Sequence, residues 1–121
     1  MELTAVNPAG RQVIERYAAR GFRISGAIYP GAVLVFPDRT MPWANPALTA
    51  ESLAPVIEHG GVELLLLGLG RRMAPVAASL RSALKAGGIV LEAMDTGAAC
   101  RTYNVLLAEE RRVAAALLPP I

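Results

Sequence analysis

The first third of the chain consists of short apolar segments separated by glycine and proline. Val13, Ile14 and Tyr17 indicate a first strand, and residues 22–25 alternate between apolar and polar positions as a half-buried strand does. Residues 32–36 form a continuous apolar run, which is typical of a buried strand. Because the links between these segments are too short for helical crossovers, the pattern predicts an antiparallel β meander.

Irregular structure is predicted on both sides of this meander. Residues 1–11 contain Pro8 and Gly10 and are interpreted as an irregular lead-in. Residues 37–48 contain three prolines and Trp43, and they are predicted to form a loop across the surface. A tryptophan on such a loop can anchor a protein partner, or it can simply cover the sheet. The sequence leaves both interpretations of Trp43 open.

From residue 49 onwards the pattern predicts alternating helices and strands. Thr49 can cap the first helix, and Pro75 suits the first turn of the second. Links of this length imply parallel strands joined by right-handed crossovers, so the C-terminal half is predicted to be a βαβαβ unit. The predicted elements are a helix over residues 50–59, a strand over 63–67, a helix over 75–86, a strand over 89–94, a helix over 97–109 and a strand over 112–118.

The composition is that of a single α/β domain spanning residues 1–121. The chain has a hydrophobic content of 54%, which is enough for a real core. Its net charge is only +2, which argues against nucleic acid as a partner. The longest aliphatic run, residues 64–67, is far too short to span a bilayer, and residues 1–4 lack the layout of a signal peptide. A cytoplasmic protein without membrane insertion is therefore expected, while the sequence leaves the oligomeric state open.

The candidate site lies at the edge of the sheet where the parallel strands end. Two loops leave this edge, residues 68–73 and 95–100, and each precedes a helix N-terminus, where unpaired backbone N–H groups favour an anion. Glycines would let a ligand approach the backbone closely, and arginines could supply positive charge. The predicted ligand crevice comprises Gly68, Gly70, Arg71, Asp95, Thr96, Cys100 and Arg101, with Arg72 as a further source of charge.

Structural roles are the alternative for the same residues. Glycines that follow a strand commonly serve the turn alone, and arginines at a sheet edge are commonly solvated. Asp95 or Thr96 can cap the third helix, and Arg101 and Asn104 can tie that helix to neighbouring loops by hydrogen bonds. A dinucleotide site fits poorly, because Met73 stands where the fingerprint needs its third glycine.

Cys100 is the only cysteine, so an internal disulfide and a multi-cysteine metal site are excluded. Arg101 beside it would stabilise a thiolate in the first turn of the third helix. The only histidine, His59, is predicted at the amino edge of the sheet and Cys100 at the carboxyl edge, so no Cys–His dyad is expected. A small buried helix residue is the alternative for Cys100. Without a metal-ligand spacing or a nucleophile elbow, the sequence predicts no cofactor and favours a non-enzymatic protein.

Several of these segments together resemble a known family of small uncharacterised proteins. The segments are Gly21, Phe22, Gly26, Gly31, Trp43, residues 66–70, residues 94–106, Glu109 and residues 111–117. The family includes the mitochondrial NADH:ubiquinone oxidoreductase (complex I) assembly factor 3, and the resemblance covers residues 13–118. Threonine is frequent in the family between the two glycines, where this chain has Leu69.

The resemblance implies a three-layer α/β fold with a mixed, mostly parallel sheet and no established enzyme activity. It also implies a role through protein partners, since the mitochondrial relative acts in this way at the inner membrane during complex I assembly. We therefore expect a bacterial cytoplasmic protein that assists the assembly of complex I or of another membrane complex. The alternative is a binding protein or enzyme that uses the crevice for a small anionic ligand.

Overall fold

A computed structural model describes residues 10–71 and 73–120 of the chain. The first part is a three-stranded antiparallel meander made of β1 (Ile14–Ala18), β2 (Gly21–Ile24) and β3 (Ala27–Pro30). Strands β2 and β3 are joined by Ser25 and Gly26, which both have positive φ angles, of 44° and 85°. A two-residue turn of this kind matches the twist of the flanking strands and fixes their register.

A second, five-stranded sheet forms the centre of the molecule. Its strands are β4 (Val33–Val35), β5 (Thr40–Pro42), β6 (Leu64–Leu69), β7 (Val90–Met94) and β8 (Val113–Leu118). They lie in the order β5-β4-β8-β6-β7, so the sheet is mixed. Strand β6 pairs in parallel with both β7 and β8, and β4 pairs antiparallel with both β5 and β8. The predicted parallel C-terminal half is confirmed.

In the described part of the chain, three helices connect these strands, namely α1 (Ala54–His59), α2 (Ala78–Ala86) and α3 (Thr96–Ala108). Helix α2 links β6 to β7, and α3 links β7 to β8. Among the described residues, no helix has the length and the apolar character needed to cross a bilayer.

The five-stranded sheet separates two hydrophobic cores, because alternate side chains of each strand point to opposite faces. Leu65 and Leu67 of β6 pack on the face that carries α1 and α2. Leu66 packs on the other face together with Tyr103 of α3 and Phe22 of the meander. The fold is therefore the layered α/β arrangement that the family resemblance implied.

Strand β8 lies at the centre of the sheet, and its side chains are unusually small. Its three alanines, Ala114, Ala115 and Ala116, stand directly opposite leucines of β6. The pairs are Leu65 with Ala114, Leu66 with Ala115, and Leu67 with Ala116, and all six side chains are buried. Large and small side chains thus alternate across this ladder, which fills both cores without crowding them.

The assignment of the predicted strands requires two corrections. Residues 32–36 were expected in the meander, but β4 belongs to the central sheet, and the third meander strand is Ala27–Pro30. Strand β3 has only one partly buried residue, Tyr29, so it lacks the apolar alternation that would reveal it. The predicted loop over residues 37–48 also contains the short edge strand β5.

The starts of the first two helices were also predicted too early. Helix α1 begins at Ala54, because Thr49 accepts a hydrogen bond from the Ser52 amide through Oγ1 at 3.1 Å and holds a separate turn. Helix α2 begins at Ala78, after Pro75. Of the predicted lead-in, residues 1–9 lie outside the described residues.

Candidate functional site

The two predicted loops meet at the carboxyl edge of the parallel strands. Gly70 follows β6, and Thr96 opens α3 after β7. The Gly70 amide donates a hydrogen bond to Thr96 Oγ1 at 2.8 Å, and the Thr96 amide donates to the Gly70 carbonyl at 2.9 Å. The loops therefore share one edge, as predicted, but they bond directly to each other.

Thr96 closes the gap in which a ligand was expected. Its side chain is fully buried, and its hydroxyl donates a further hydrogen bond to the Leu118 carbonyl at 2.5 Å. Both hydrogen-bonding functions of the hydroxyl are thus used within the chain. The prediction that Thr96 faces a ligand is wrong, because the side chain joins Gly70, α3 and the end of β8.

The N-terminus of α3 is capped by its own chain rather than left open for an anion. Asp95 Oδ1 accepts a hydrogen bond from the Ala98 amide at 2.9 Å, and the Asp95 carbonyl accepts one from Ala99 at 3.0 Å. A carboxylate at this position already supplies the negative charge that a helix N-terminus favours. Asp95 therefore has the capping role that was the structural alternative.

Gly68 and Gly70 serve different structural needs. A Cβ atom at Gly68 would lie 2.9 Å from Leu117 Cδ2 and 3.1 Å from Thr96 Cα, so this glycine lets α3 approach the sheet closely. Gly70 has a φ angle of +74°, which a side chain would strain. Gly68 lies inside β6, before the turn at which the strand ends.

Beside the joined loops lies an open cavity of about 590 Å³, which we call the rim cavity. Four of the predicted residues line it, namely Gly70, Arg71, Asp95 and Arg101. The rest of its wall comes from Tyr17, Ala18, Ala19, Gly97 and Pro120. Gly68, Thr96 and Cys100 are not among the lining residues, and Arg72 lies outside the described residues.

Tyr17 is the rim residue that sequence reasoning missed. It lies on β1 of the meander, and its hydroxyl oxygen is 3.5 Å from Arg101 Nη1. A Cβ atom at Gly97 would come within 2.7 Å of the same oxygen, so Gly97 makes room for this side chain. No local signal links Tyr17 to a helix that begins some eighty residues later; only the packing of the meander beside α3 brings them together.

Cys100 is a structural residue. Its side chain has no exposed surface, and burial raises the pKa of the thiol to about 12, although the charge of Arg101 acts in the opposite direction. A thiol of this kind is almost entirely protonated at neutral pH and is a poor nucleophile. The activated thiolate is thus the wrong interpretation, and the small buried helix residue is the right one.

His59 stands in a separate cluster at the end of α1. Its Nε2 lies 2.6 Å from Asp38 Oδ1, its Nδ1 lies 2.9 Å from the Gly60 carbonyl, and its ring stacks on Phe36 with the centroids 4.2 Å apart. Both polar neighbours, the Asp38 carboxylate and the Gly60 carbonyl, lie within hydrogen-bonding distance of the ring. His59 is thus held by Asp38, Gly60 and Phe36.

Trp43 is part of the core rather than an exposed anchor. Its side chain is 4% exposed, and Nε1 donates a hydrogen bond to Ser52 Oγ at 2.7 Å. The indole therefore covers one face of the sheet, so of the two interpretations that the sequence left open, the structure favours this one over a partner surface at Trp43. Among the described residues, no three His, Cys, Asp or Glu side chains form a group that could hold a metal ion.

Comparison with known proteins gives a consistent match over nearly the whole chain. The family model described as protein of unknown function (DUF498/DUF598) matches residues 14–118. An uncharacterised protein of Rhodobacter capsulatus is 42% identical over 112 residues, which are 92% of this chain and 87% of that protein.

Two further comparisons carry other descriptions. The NADH dehydrogenase [ubiquinone] 1 alpha subcomplex assembly factor 3 of Danio rerio is 38% identical over 112 residues, which are 89% of this chain and 64% of that protein. This chain thus spans less than two thirds of the assembly factor. A solved structure described as an outer membrane protein of Bartonella henselae has a TM-score of 0.83 and 34% identity, covering 91% of this chain and 96% of that one.

Proposed function

This chain belongs to the DUF498/DUF598 family, and on that basis we propose that it is an interaction protein that assists the assembly of a respiratory membrane complex. Complex I is the first candidate, and the protein acts on it from the bacterial cytoplasm without inserting into the membrane. The observation that carries the proposal is the 38% identity to assembly factor 3 of Danio rerio over 89% of this chain.

The chemistry of the described residues supports a role without catalysis. The one thiol, Cys100, is buried and protonated, and His59 is engaged with Asp38. The Thr96 hydroxyl is used in hydrogen bonds with Gly70 and Leu118, and the Asp95 carboxylate caps the N-terminus of α3. We therefore expect the protein to act through contacts on its surface.

Deletion of the gene in the source organism tests the assembly role. We expect membranes of the deletion strain to contain less intact complex I on a native gel and to have lower NADH:ubiquinone oxidoreductase activity. A plasmid copy of the gene should restore both, and succinate dehydrogenase activity in the same membranes serves as the control. Normal complex I content in the deletion strain would refute the proposal.

A second candidate function is the binding of a small anionic ligand in the rim cavity, because Arg71 and Arg101 both line it. Asp95 lines the same cavity and offsets part of that positive charge. Phosphate, citrate and ATP at millimolar concentration are suitable probes in a thermal-shift measurement. A shift that disappears in Arg71→Ala/Arg101→Ala but persists in the control Arg111→Ala/Arg112→Ala would support this function, and equal shifts in both variants would exclude it.

A further inference from the structure

The outer side of the meander carries an unusual combination of arginine and exposed apolar residues. In the strand register, Arg16 of β1 stands opposite Arg23 of β2, and Arg23 stands opposite Ile28 of β3. These three residues therefore form one row across the sheet. All three are exposed, and Ile28 retains 73% of its surface.

A small cavity lies beside this row. It has a volume of about 260 Å³, and Ala18, Ile28 and Pro30 are among the apolar residues that line it. The neighbouring row of the sheet, Ala18, Gly21 and Pro30, contributes only small side chains, which leaves the depression open. Arg16, Arg20 and Arg23 also line this cavity. We call this surface the meander face.

The charges of the meander face are not balanced within the described part of the chain. Among the described residues, Glu15 is the carboxylate that pairs with this face, and its Oε1 lies 3.4 Å from Arg23 Nε. Three arginines thus face one glutamate, and two of the arginines stand directly opposite each other, an arrangement that destabilises a β-sheet. A surface whose side chains reduce the stability of the sheet in this way is typical of a binding site.

From these observations we infer that the meander face binds an acidic segment of a partner protein, which inserts one apolar side chain into the cavity while its carboxylates pair with the arginines. The inference rests on the proposed interaction function and assigns a surface to it. The volume suits a single large side chain, and a concave apolar floor suits a protruding residue better than a flat bilayer. Nucleic acid would match the arginines but would leave Ile28 and the floor uncovered.

A synthetic peptide provides the direct test. The probe is a fluorescein-labelled peptide with a central Leu-Trp pair flanked by four glutamates on each side, and binding to the full chain is measured by fluorescence anisotropy. We expect saturable binding that weakens as salt is added. It should be lost when the glutamates of the peptide are replaced by glutamine, or its Leu-Trp pair by serines. Absence of binding by the unmodified chain would overturn the inference.

Matched variants show whether the peptide uses this surface. We expect Arg16→Glu, Arg23→Glu and Ile28→Ser each to weaken binding by about tenfold. Arg112→Glu is the charge control, because Arg112 is also exposed (67%) and pairs with a glutamate, Glu63, at 3.1 Å. Val90→Ser is the apolar control, because Val90 is 58% exposed on an edge strand. Equal weakening in variants and controls would overturn the inference.

Two further measurements separate this inference from its competitors and from the proposed function. If vesicles of phosphatidylglycerol bind the chain and lose binding in the same three variants while the peptide does not bind, the partner is a membrane and the inference fails. If Arg23→Glu fully restores complex I in the deletion strain, the meander face is not the surface that is used, although the assembly role stands. If deleting the gene and restoring it both leave complex I unchanged, the assembly role fails. The peptide measurements alone then test whether the meander face binds an acidic segment.

Discussion

Thr96 joins three separate segments of the chain through one small side chain. Its hydroxyl accepts from Gly70, 26 positions earlier, and donates to Leu118, 22 positions later. Such partners cannot be predicted from local sequence, whereas the Asp95 cap can, because its acceptor and its donor lie only three positions apart. The sequence pattern thus predicted the correct edge of the sheet. It predicted a ligand contact for the Thr96 side chain, however, instead of hydrogen bonds within the fold.

We predict that Thr96→Val lowers the free energy of unfolding by about 1–3 kcal/mol. The methyl group fills the space of the hydroxyl but leaves the buried Gly70 amide and Leu118 carbonyl without their partner. Urea denaturation measures the change, and Thr96→Ser, which keeps the hydroxyl, should retain most of the stability. A Thr96→Val protein as stable as the unmodified chain would contradict the buried hydrogen-bond arrangement.

Cys100 should resist alkylation as long as the chain is folded. Burial raises the pKa of its thiol from an ordinary value of 9.0 to about 12. The thiolate fraction at pH 8 is therefore about a thousandfold lower than in the unfolded chain, and reaction with iodoacetamide should slow at least in proportion. Rates measured with and without denaturant check this. A native rate equal to the denatured rate would mean that the thiol is accessible.

Helices and parallel strands were predictable at the level of elements, because their apolar runs are long and are separated by glycine. Strand β3 was not predictable, because three of its four residues are exposed and its position depends on pairing with β2. The start of α1 was missed for a related reason: a turn held by Thr49 and Ser52 imitates a capped helix over its first residues.

The meander should become more stable when its opposed arginines are changed to an opposite-charge pair. Arg16→Glu places a carboxylate directly opposite Arg23, and we expect the free energy of unfolding to rise by about 0.2–1 kcal/mol. Thermal denaturation at low salt checks this, and the gain should shrink as salt is added. A loss of stability would indicate that Arg16 makes favourable contacts with its neighbours instead.

Asp38, in the β4–β5 turn, contacts His59 at the end of α1. This contact should make the free energy of unfolding depend on pH. The hydrogen bond from His59 lowers the pKa of the Asp38 carboxyl below its ordinary value of 3.8. The stabilisation is therefore fully present at pH values above the pKa that Asp38 has in the unfolded chain. It is lost as the pH falls through the lower pKa that Asp38 has in the folded chain.

Asp38→Asn tests this contact. Because Asp38 is 63% exposed, we expect the variant to lose less than about 1 kcal/mol at pH 5. The difference from the unmodified chain should vanish towards pH 2. Unfolding free energies measured across this range check the prediction. Glu58→Gln is the control, because Glu58 is an exposed carboxylate next to His59 on α1. A difference that stays constant down to pH 2 would assign the effect to packing rather than to charge.

Helix α3 connects the central sheet to the meander. Asn104 accepts a hydrogen bond from the Ile14 amide at 3.0 Å and donates one to the Ile14 carbonyl at 2.7 Å. The Tyr103 hydroxyl donates to the Gln12 carbonyl at 3.0 Å. The sequence suggested Asn104 as a link to neighbouring segments, but it could not identify β1 as the partner, because ninety positions separate the two residues.

Asn104→Ala should loosen the meander without unfolding the sheet. Amide hydrogen exchange in β1, β2 and β3 should become faster by at least about tenfold, while exchange in β6 and β8 changes little. Exchange measured by NMR checks this at each strand, and Thr102→Ala, a half-buried residue on the same helix, serves as the control. Uniform acceleration in both sheets would mean that the meander and the sheet open together.

The pairing of alanines in β8 with leucines in β6 has a consequence for how the family can vary. Because each layer of the core holds one large and one small residue in a fixed register, selection acts on their combined size rather than on either position alone. Enlarging Ala115 by itself would force the layer apart, but the reciprocal exchange with Leu66 conserves the sum. Homologous chains should therefore show coordinated substitutions at these two positions, and the exchanged double variant should fold more stably than either single one.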